Sequence, residues 1–171
     1  IGNDILRPIF QKIKADQDIF VLDPFMGFGN RLSAFEQEVQ APRVYTFGIE
    51  ADVDLGKKAF SLGKVYKVAK GSLHRMTPRI FDVLLFFRND IVFSPHEQLL
   101  FRELLLRDFL FQRKPLKNNG LVIFNVPYYR IPRHEKTFAN LKIERIYRAG
   151  DQAGNLIFIC SKKKPNELAQ K

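Results

Sequence analysis

The stretch that decides the fold of this chain reads VLDPFMGFGN, residues 21–30. Apolar residues typical of a buried strand lead into Asp23, an acidic residue at the predicted carboxyl end of that strand. Gly27 and Gly29 follow, and a helical pattern begins at Asn30. Glycines let a backbone approach a ligand closely, and a helix N-terminus behind them offers N–H groups. The stretch therefore predicts a ligand-binding loop between a first strand and a first helix.

Length and composition describe a folded domain. The chain has 171 residues, of which 46% are hydrophobic and 17 are Phe, so it can bury a sizeable core. Its longest apolar run, residues 80–87, is interrupted by Asp82 and is too short to span a bilayer. No signal-peptide pattern stands at the N-terminus. The single Cys160 excludes an internal disulfide and suits a reducing compartment, so we expect a cytoplasmic protein without a membrane partner.

The net charge of +10 is unevenly distributed. Residues 1–90 hold 13 Lys and Arg against 11 Asp and Glu, whereas residues 91–171 hold 15 against 7, a surplus of 8. Such a surplus favours a polyanionic partner, and we expect nucleic acid, either DNA or RNA. The alternative is a solvated basic surface. We expect one domain over residues 1–161 and a basic tail over residues 162–171.

Strand patterns alternate with helical patterns along the chain, which predicts a right-handed α/β sheet. Strands are predicted at residues 19–22, 44–49, 65–69, 81–87, 121–126, 143–148 and 156–160, and helices at 4–14, 30–40, 53–62 and 95–112. Residues 116–120 are predicted to form a turn. The last two strands are joined by a hairpin-like connection. The fold class is therefore α/β, a doubly wound, mainly parallel sheet of seven strands with a C-terminal antiparallel hairpin.

A second acidic residue supports a ligand site at the same edge of the sheet. Ligands of open α/β sheets lie beyond the carboxyl ends of the strands, and a carboxylate about 20 residues after the loop can accept hydrogen bonds from ribose hydroxyls. Glu50 has that position, although an acid at a helix N-terminus is the alternative interpretation. A nicotinamide dinucleotide is disfavoured, because Leu32 replaces the third glycine of G-x-G-x-x-G.

The wording D-P-F-x-G-x-G at residues 23–29 resembles motif I of class I S-adenosylmethionine-dependent methyltransferases. The resemblance is strongest to enzymes that methylate base amines, such as the adenine-N6-type enzymes of phages and mobile elements. The passage PLKNNGLVIF, residues 115–124, is similar to a second family passage, and the resemblance covers residues 19–161. It implies S-adenosylmethionine as the cofactor. It also implies a set of cofactor-binding residues: Asp23, Phe25, Gly27, Gly29, Glu50 and Ser72. Ser72 departs from the family, which often has an acidic residue there, and an ordinary turn residue is the alternative interpretation.

The resemblance also implies a catalytic motif, and here the sequence departs from the family. Amino-methyltransferases carry Asn/Asp-Pro-Pro-aromatic after the fourth strand, but this chain reads FRNDIVF at residues 87–93. Asn89 takes the first position and would accept the N–H bonds of the base amine, with Asp90 assisting. The aromatic residues that would stack on the base are Phe93, Tyr128 and Tyr129. For the two tyrosines, which follow the fifth strand, the alternative is that they cover the edge of the sheet. Because motif IV is degenerate, a domain that has lost catalysis and binds nucleic acid or a protein stays open.

Other chemistry is not indicated. His74, His96 and His134 are far apart in the sequence and lack the spacing of metal ligands, so we expect no metal site. Cys160 lies in an apolar strand and is expected to be an inert core thiol. We also expect a protein partner to supply target recognition.

Overall fold

The computed structural model describes residues 17–39, 43–50, 52–63, 67–70, 81–87, 116–127, 139–148 and 155–163. The elements in chain order are β1 (Ile19–Asp23), α1 (Asn30–Glu38), β2 (Val44–Glu50), α2 (Val53–Ser61), β3 (Lys67–Lys70), β4 (Phe81–Phe86), β5 (Leu116–Pro127), β6 (Leu141–Arg148) and β7 (Asn155–Lys162). The helices predicted at 4–14 and 95–112 lie outside the described residues.

The chain divides into two compact units, and the first holds the predicted loop. The first unit comprises Ile1–Met76 and Phe81–Leu85, and the second comprises Thr77–Ile80 and Phe86–Lys171. No helix among the described residues is long and apolar enough to cross a membrane.

Four parallel strands form the sheet of the first unit, in the order β3-β2-β1-β4. β1 pairs with β2 from Ile19 opposite Val44 to Asp23 opposite Gly48. The chain adds β2 and β3 on one side of β1 and then returns to place β4 on the other side. The strand order therefore reverses beside β1, and ligands of open α/β sheets bind beyond the carboxyl ends of the strands at such a reversal.

The two helices that the structure describes in the first unit begin in different ways. Gly29, the N-cap of α1, has a left-handed backbone with φ 74°, and no side chain caps this helix. α1 buries Leu32 and Phe35 against the core. α2 has a side-chain cap, because Asp52 Oδ1 accepts hydrogen bonds from the N–H groups of Asp54 and Leu55, both at 3.0 Å. Such a cap satisfies donors that the first helical turn leaves unpaired.

Three strands form the sheet of the second unit, in the order β5-β7-β6, and both neighbouring pairs are antiparallel. The stacked rings of Phe124 and Phe158, with centroids 5.6 Å apart, join β5 to β7. Cys160 on β7 is buried as a free thiol. Burial, and secondarily the charge of Glu144, raise the pKa of Cys160 to about 12. The thiol is therefore protonated at neutral pH, as expected for a core cysteine.

The structure differs from the sequence-based expectation at the start of this sheet. Residues 116–120 were predicted to form a turn, but they are the first part of β5. Leu116 is fully buried, and its carbonyl accepts a hydrogen bond from Lys162 Nζ at 3.2 Å, which anchors the extended backbone. Lys163 Nζ likewise donates to Ala139 O at 2.8 Å. Lys162 and Lys163 therefore each hold a backbone carbonyl of the second unit, and the division into a domain over 1–161 and a tail over 162–171 stays a prediction. That all seven strands form one doubly wound sheet stays a prediction.

Candidate cofactor-binding site

The loop after β1 is anchored by a buried carboxylate. Asp23 is 0% exposed. Its Oδ1 accepts a hydrogen bond from the Phe25 N–H at 2.9 Å, and its Oδ2 accepts one from Arg31 Nε at 3.0 Å. Arg31 Nη2 also donates to the Phe25 carbonyl at 2.5 Å. The strand end, the loop and the first turn of α1 are therefore held together by one ion pair and its hydrogen bonds.

Burial dominates the electrostatics of this anchor. Burial raises the pKa of Asp23 above its ordinary value of 3.8, and the nearby charge of Glu50 raises it further. The charge and hydrogen bond of Arg31 and the N–H of Phe25 lower it, but they do not offset the burial. Removing a carboxylate from water disfavours its charged form, and only part of that cost is recovered by a partner.

The loop also rests on β2. Met26 is 3% exposed, and its N–H donates to the carbonyl of Ile49 at 3.2 Å. The Met26 side chain occupies the space above Gly48, where an added Cβ would overlap Sδ and lie 2.8 Å from Cγ. Glycine at position 48 is therefore required for Met26 to lie in this position.

The outward part of the loop is formed by Gly27. Its φ is 53°, in the left-handed region that glycine adopts readily. An added Cβ at Gly27 would meet no atom within 4 Å. The turn then closes through the Gly29 N–H, which donates to the Met26 carbonyl at 2.9 Å, and α1 begins. The space over Gly27 is therefore open to a ligand that approaches the backbone.

Glu50 lies at the same edge of the first unit, at the end of β2. Its Oε1 accepts a hydrogen bond from the Asp52 N–H at 2.9 Å, which joins β2 to the cap of α2. Its second oxygen, Oε2, has no hydrogen-bond partner within the part of the chain that the structure describes. Asp23 is paired with Gly48, two residues before Glu50 on β2, so the two carboxylates lie at the same end of neighbouring strands. Glu50 is half-buried, and its Oε2 can accept hydrogen bonds from ligand hydroxyls.

Phe28 connects the loop to α2. Lys58 Nζ lies 5.3 Å from the centre of the Phe28 ring, a cation–π distance. Phe28 is half-buried and Lys58 is exposed. The contact holds the Phe28 ring toward α2, the helix whose cap Glu50 contacts.

The structure brings together five of the sequence-predicted cofactor residues at one edge of the first unit: Asp23, Phe25, Gly27, Gly29 and Glu50. Ser72, Asn89, Asp90, Phe93, Tyr128 and Tyr129 lie outside the described residues. Among the described side chains, there is no group of three or more His, Cys, Asp or Glu that could hold a metal ion.

Sequence reasoning missed two parts of the site. Gly48 gives no local signal, because only its spatial contact with Met26 explains it. Arg31 does give one, since a cation in the first turn of a helix is disfavoured by the helix dipole. Its occurrence there, with no acidic residue in that turn, indicates a carboxylate partner elsewhere, which is Asp23.

The chain resembles known proteins in structure and not in sequence. No protein-family model matches this chain, and no curated protein matches its sequence. A TehB-like S-adenosylmethionine-dependent methyltransferase from Corynebacterium glutamicum is 13% identical with a TM-score of 0.61, over 91% of this chain and 86% of that one. A ribosomal protein L11 methylase from Lactobacillus delbrueckii is 20% identical with a TM-score of 0.63, over 95% and 79%.

A third similar structure is the methyltransferase subunit of a type I restriction-modification system from Streptococcus thermophilus. It is 16% identical with a TM-score of 0.61, and the match covers 95% of this chain but 43% of that one. At such identities the likeness shows the fold alone. The fold of this chain is that of the class I S-adenosylmethionine-dependent methyltransferases.

Proposed function

We propose that this chain is an S-adenosylmethionine-dependent methyltransferase that acts on an amine of a nucleic-acid base, of the adenine-N6 type. Two features carry the proposal: the open backbone over Gly27 and the available Oε2 of Glu50. Both lie at the carboxyl ends of neighbouring strands, next to the reversal of strand order at β1. The fold shared with methyltransferases supports the same conclusion.

The residues present fit this cofactor. The loop at residues 24–29 would hold its methionine part, Glu50 its ribose hydroxyls, and Ser72 its adenine. S-adenosylmethionine supplies a methyl group activated by the neighbouring sulfonium. Asp23 is fully buried, so its role is to hold the loop through Phe25 and Arg31.

The nucleic-acid substrate is supported by the charge of the chain and by Asn89, which takes the first position of the catalytic motif that residues 87–93 resemble. The surplus of 8 positive charges over residues 91–171 suits a polyanion. A base amine is a poor nucleophile, because its lone pair is delocalised into the ring. In this proposal Asn89 accepts hydrogen bonds from the amine with the help of Asp90. The aromatic residues that stack on the base are Phe93, Tyr128 and Tyr129. A protein partner supplies target recognition, and the reaction takes place in the cytoplasm.

A second candidate is a catalytically inactive subunit that binds nucleic acid or a protein partner. The missing Pro-Pro-aromatic sequence after Asn89 favours it. The likeness to a ribosomal protein methylase adds protein as a substrate class that the experiment should include.

The experiment is transfer of labelled methyl groups from S-adenosylmethionine to DNA, RNA and a basic ribosomal protein. We expect transfer to nucleic acid, and we expect Asn89→Ala to abolish it without changing cofactor affinity, because the loss is confined to the transition state. Asn118→Ala, at an exposed position of β5, is the matched control.

Each outcome points to a different conclusion. Transfer that survives Asn89→Ala refutes the role of Asn89. Transfer to protein alone refutes the nucleic-acid substrate. Cofactor binding without transfer to any substrate supports the inactive subunit.

A further inference from the structure

We propose that Arg31 is a positioning residue for the cofactor loop: its guanidinium fixes the loop in the shape that admits the cofactor. This inference rests on the proposed cofactor binding. Arg31 bonds the Asp23 carboxylate through Nε and the Phe25 carbonyl through Nη2. The planar guanidinium holds its donors in a rigid geometry, so it sets the spacing between the strand end and the loop.

The backbone of the loop shows where Arg31 acts. The Phe25 N–H is bonded to Asp23, the Met26 N–H to Ile49, and the Met26 carbonyl to the Gly29 N–H. These bonds are made by the strands and by the loop itself. Among the described residues, the hydrogen bond from Arg31 Nη2 to the Phe25 carbonyl joins α1 to the centre of the loop. It adjoins the turn at Gly27, over which space is open.

The ion pair between Arg31 and Asp23 contributes more to the conformation of the loop than to the stability of the fold. The helix dipole disfavours a cation in the first turn of α1. Burial outweighs Arg31 in setting the pKa of Asp23, so ionising this carboxylate opposes folding even with its partner present. Replacing a buried ion pair often leaves stability unchanged or raises it, whereas the pair can still select one conformation. The Arg31 side chain is also 30% exposed, which leaves it less costly to keep charged than Asp23.

The experiment measures the affinity for S-adenosylhomocysteine by calorimetry, together with the thermal midpoint of each variant. Arg31→Lys keeps a positive charge beside Asp23 but loses the planar guanidinium that donates to Asp23 and Phe25 at once. We expect its affinity to fall about tenfold, the size of one hydrogen bond to a charged group, while its thermal midpoint stays near that of wild type. Arg31→Met should bind more weakly still. Arg43→Met makes the same charge change at an exposed position of the first unit and should bind normally.

Hydrogen exchange of the ligand-free protein supplies a second readout. We expect faster amide exchange confined to residues 24–29 in both Arg31 variants and not in Arg43→Met. Wild-type affinity and wild-type exchange in Arg31→Lys and Arg31→Met would overturn the inference, as would an equal loss of affinity in Arg43→Met. If wild type itself binds neither S-adenosylmethionine nor S-adenosylhomocysteine, the proposed function fails, and unchanged exchange in the Arg31 variants would separately exclude the positioning role.

Discussion

Asp23 shows how a single residue links the fold to the site. It ends β1, and both of its oxygens bind groups that shape the loop. Its complete burial sets its proton equilibrium, because the partner Arg31 offsets only part of the desolvation. The residue therefore holds the loop at a cost to stability that depends on pH.

The sign of that dependence follows from the raised pKa of Asp23. In the unfolded chain the carboxyl ionises near 3.8, whereas the folded protein retains the proton to higher pH. Over that window the folded state binds more protons, so the free energy of unfolding falls as pH rises and then levels off above the folded pKa. Urea unfolding at a series of pH values measures this change. We expect the free energy of unfolding of wild type to fall with rising pH relative to that of Asp23→Asn.

Asp54→Asn is the control for that comparison. The Asp54 side chain is 96% exposed, so removing its charge should leave the pH profile of wild type in place. A wild-type protein that gains stability with rising pH relative to Asp23→Asn would show that Arg31 outweighs burial.

At the scale of elements, local patterns predict most of the described part of the first unit. The bounds of β1, β2, β4 and both described helices agree with the predicted ones to within about two residues. The agreement arises because the period of the hydrophobic residues and the placement of glycines at element ends are local properties of the sequence. The error at residues 116–120 has a different origin. The Asn-Asn-Gly composition is typical of a turn, but tertiary anchoring of Leu116 keeps the backbone extended.

The candidate site was predicted in part for the same reason. The loop glycines and Glu50 follow from their places at strand ends. The bridge made by Arg31 and the contact between Met26 and Gly48 join residues distant in sequence, so no periodicity shows them. The catalytic role of Asn89 and the stacking role of Phe93, Tyr128 and Tyr129 stay predictions.

The packing of the loop on β2 gives a prediction for Gly48. Gly48→Ala should displace Met26 and lower the free energy of unfolding by about 1–3 kcal/mol, the usual cost of overpacking a core. Chemical denaturation measures the change. In a Met26→Ala background the same substitution should cost less, because Sδ and Cγ are gone. An equal cost in both backgrounds would place its cause elsewhere.

At the scale of the whole molecule, the charge distribution makes its own prediction. Neutralising phosphates releases counterions, so the affinity for DNA or RNA should fall steeply as salt rises, by about a thousandfold between roughly 50 and 200 mM if about six phosphates are contacted. Fluorescence anisotropy with labelled oligonucleotides measures this slope. Two results would contradict a nucleic-acid partner: an oligonucleotide affinity that does not change with salt, or no oligonucleotide binding at low salt although the protein still binds polyglutamate. Either result would favour an acidic protein partner instead.

The central claim is that the loop after β1 binds S-adenosylmethionine, and calorimetry with a pair of matched glycine variants tests it most directly. Gly27 and Gly63 both have positive φ, 53° and 66°, and an added Cβ at either meets open space within 4 Å. Valine at either position therefore imposes a similar backbone strain, but only Gly27 lies in the loop. We predict that wild type and Gly63→Val bind S-adenosylmethionine and that Gly27→Val does not. Equal binding by Gly27→Val and Gly63→Val, or no binding by wild type, would contradict the claim.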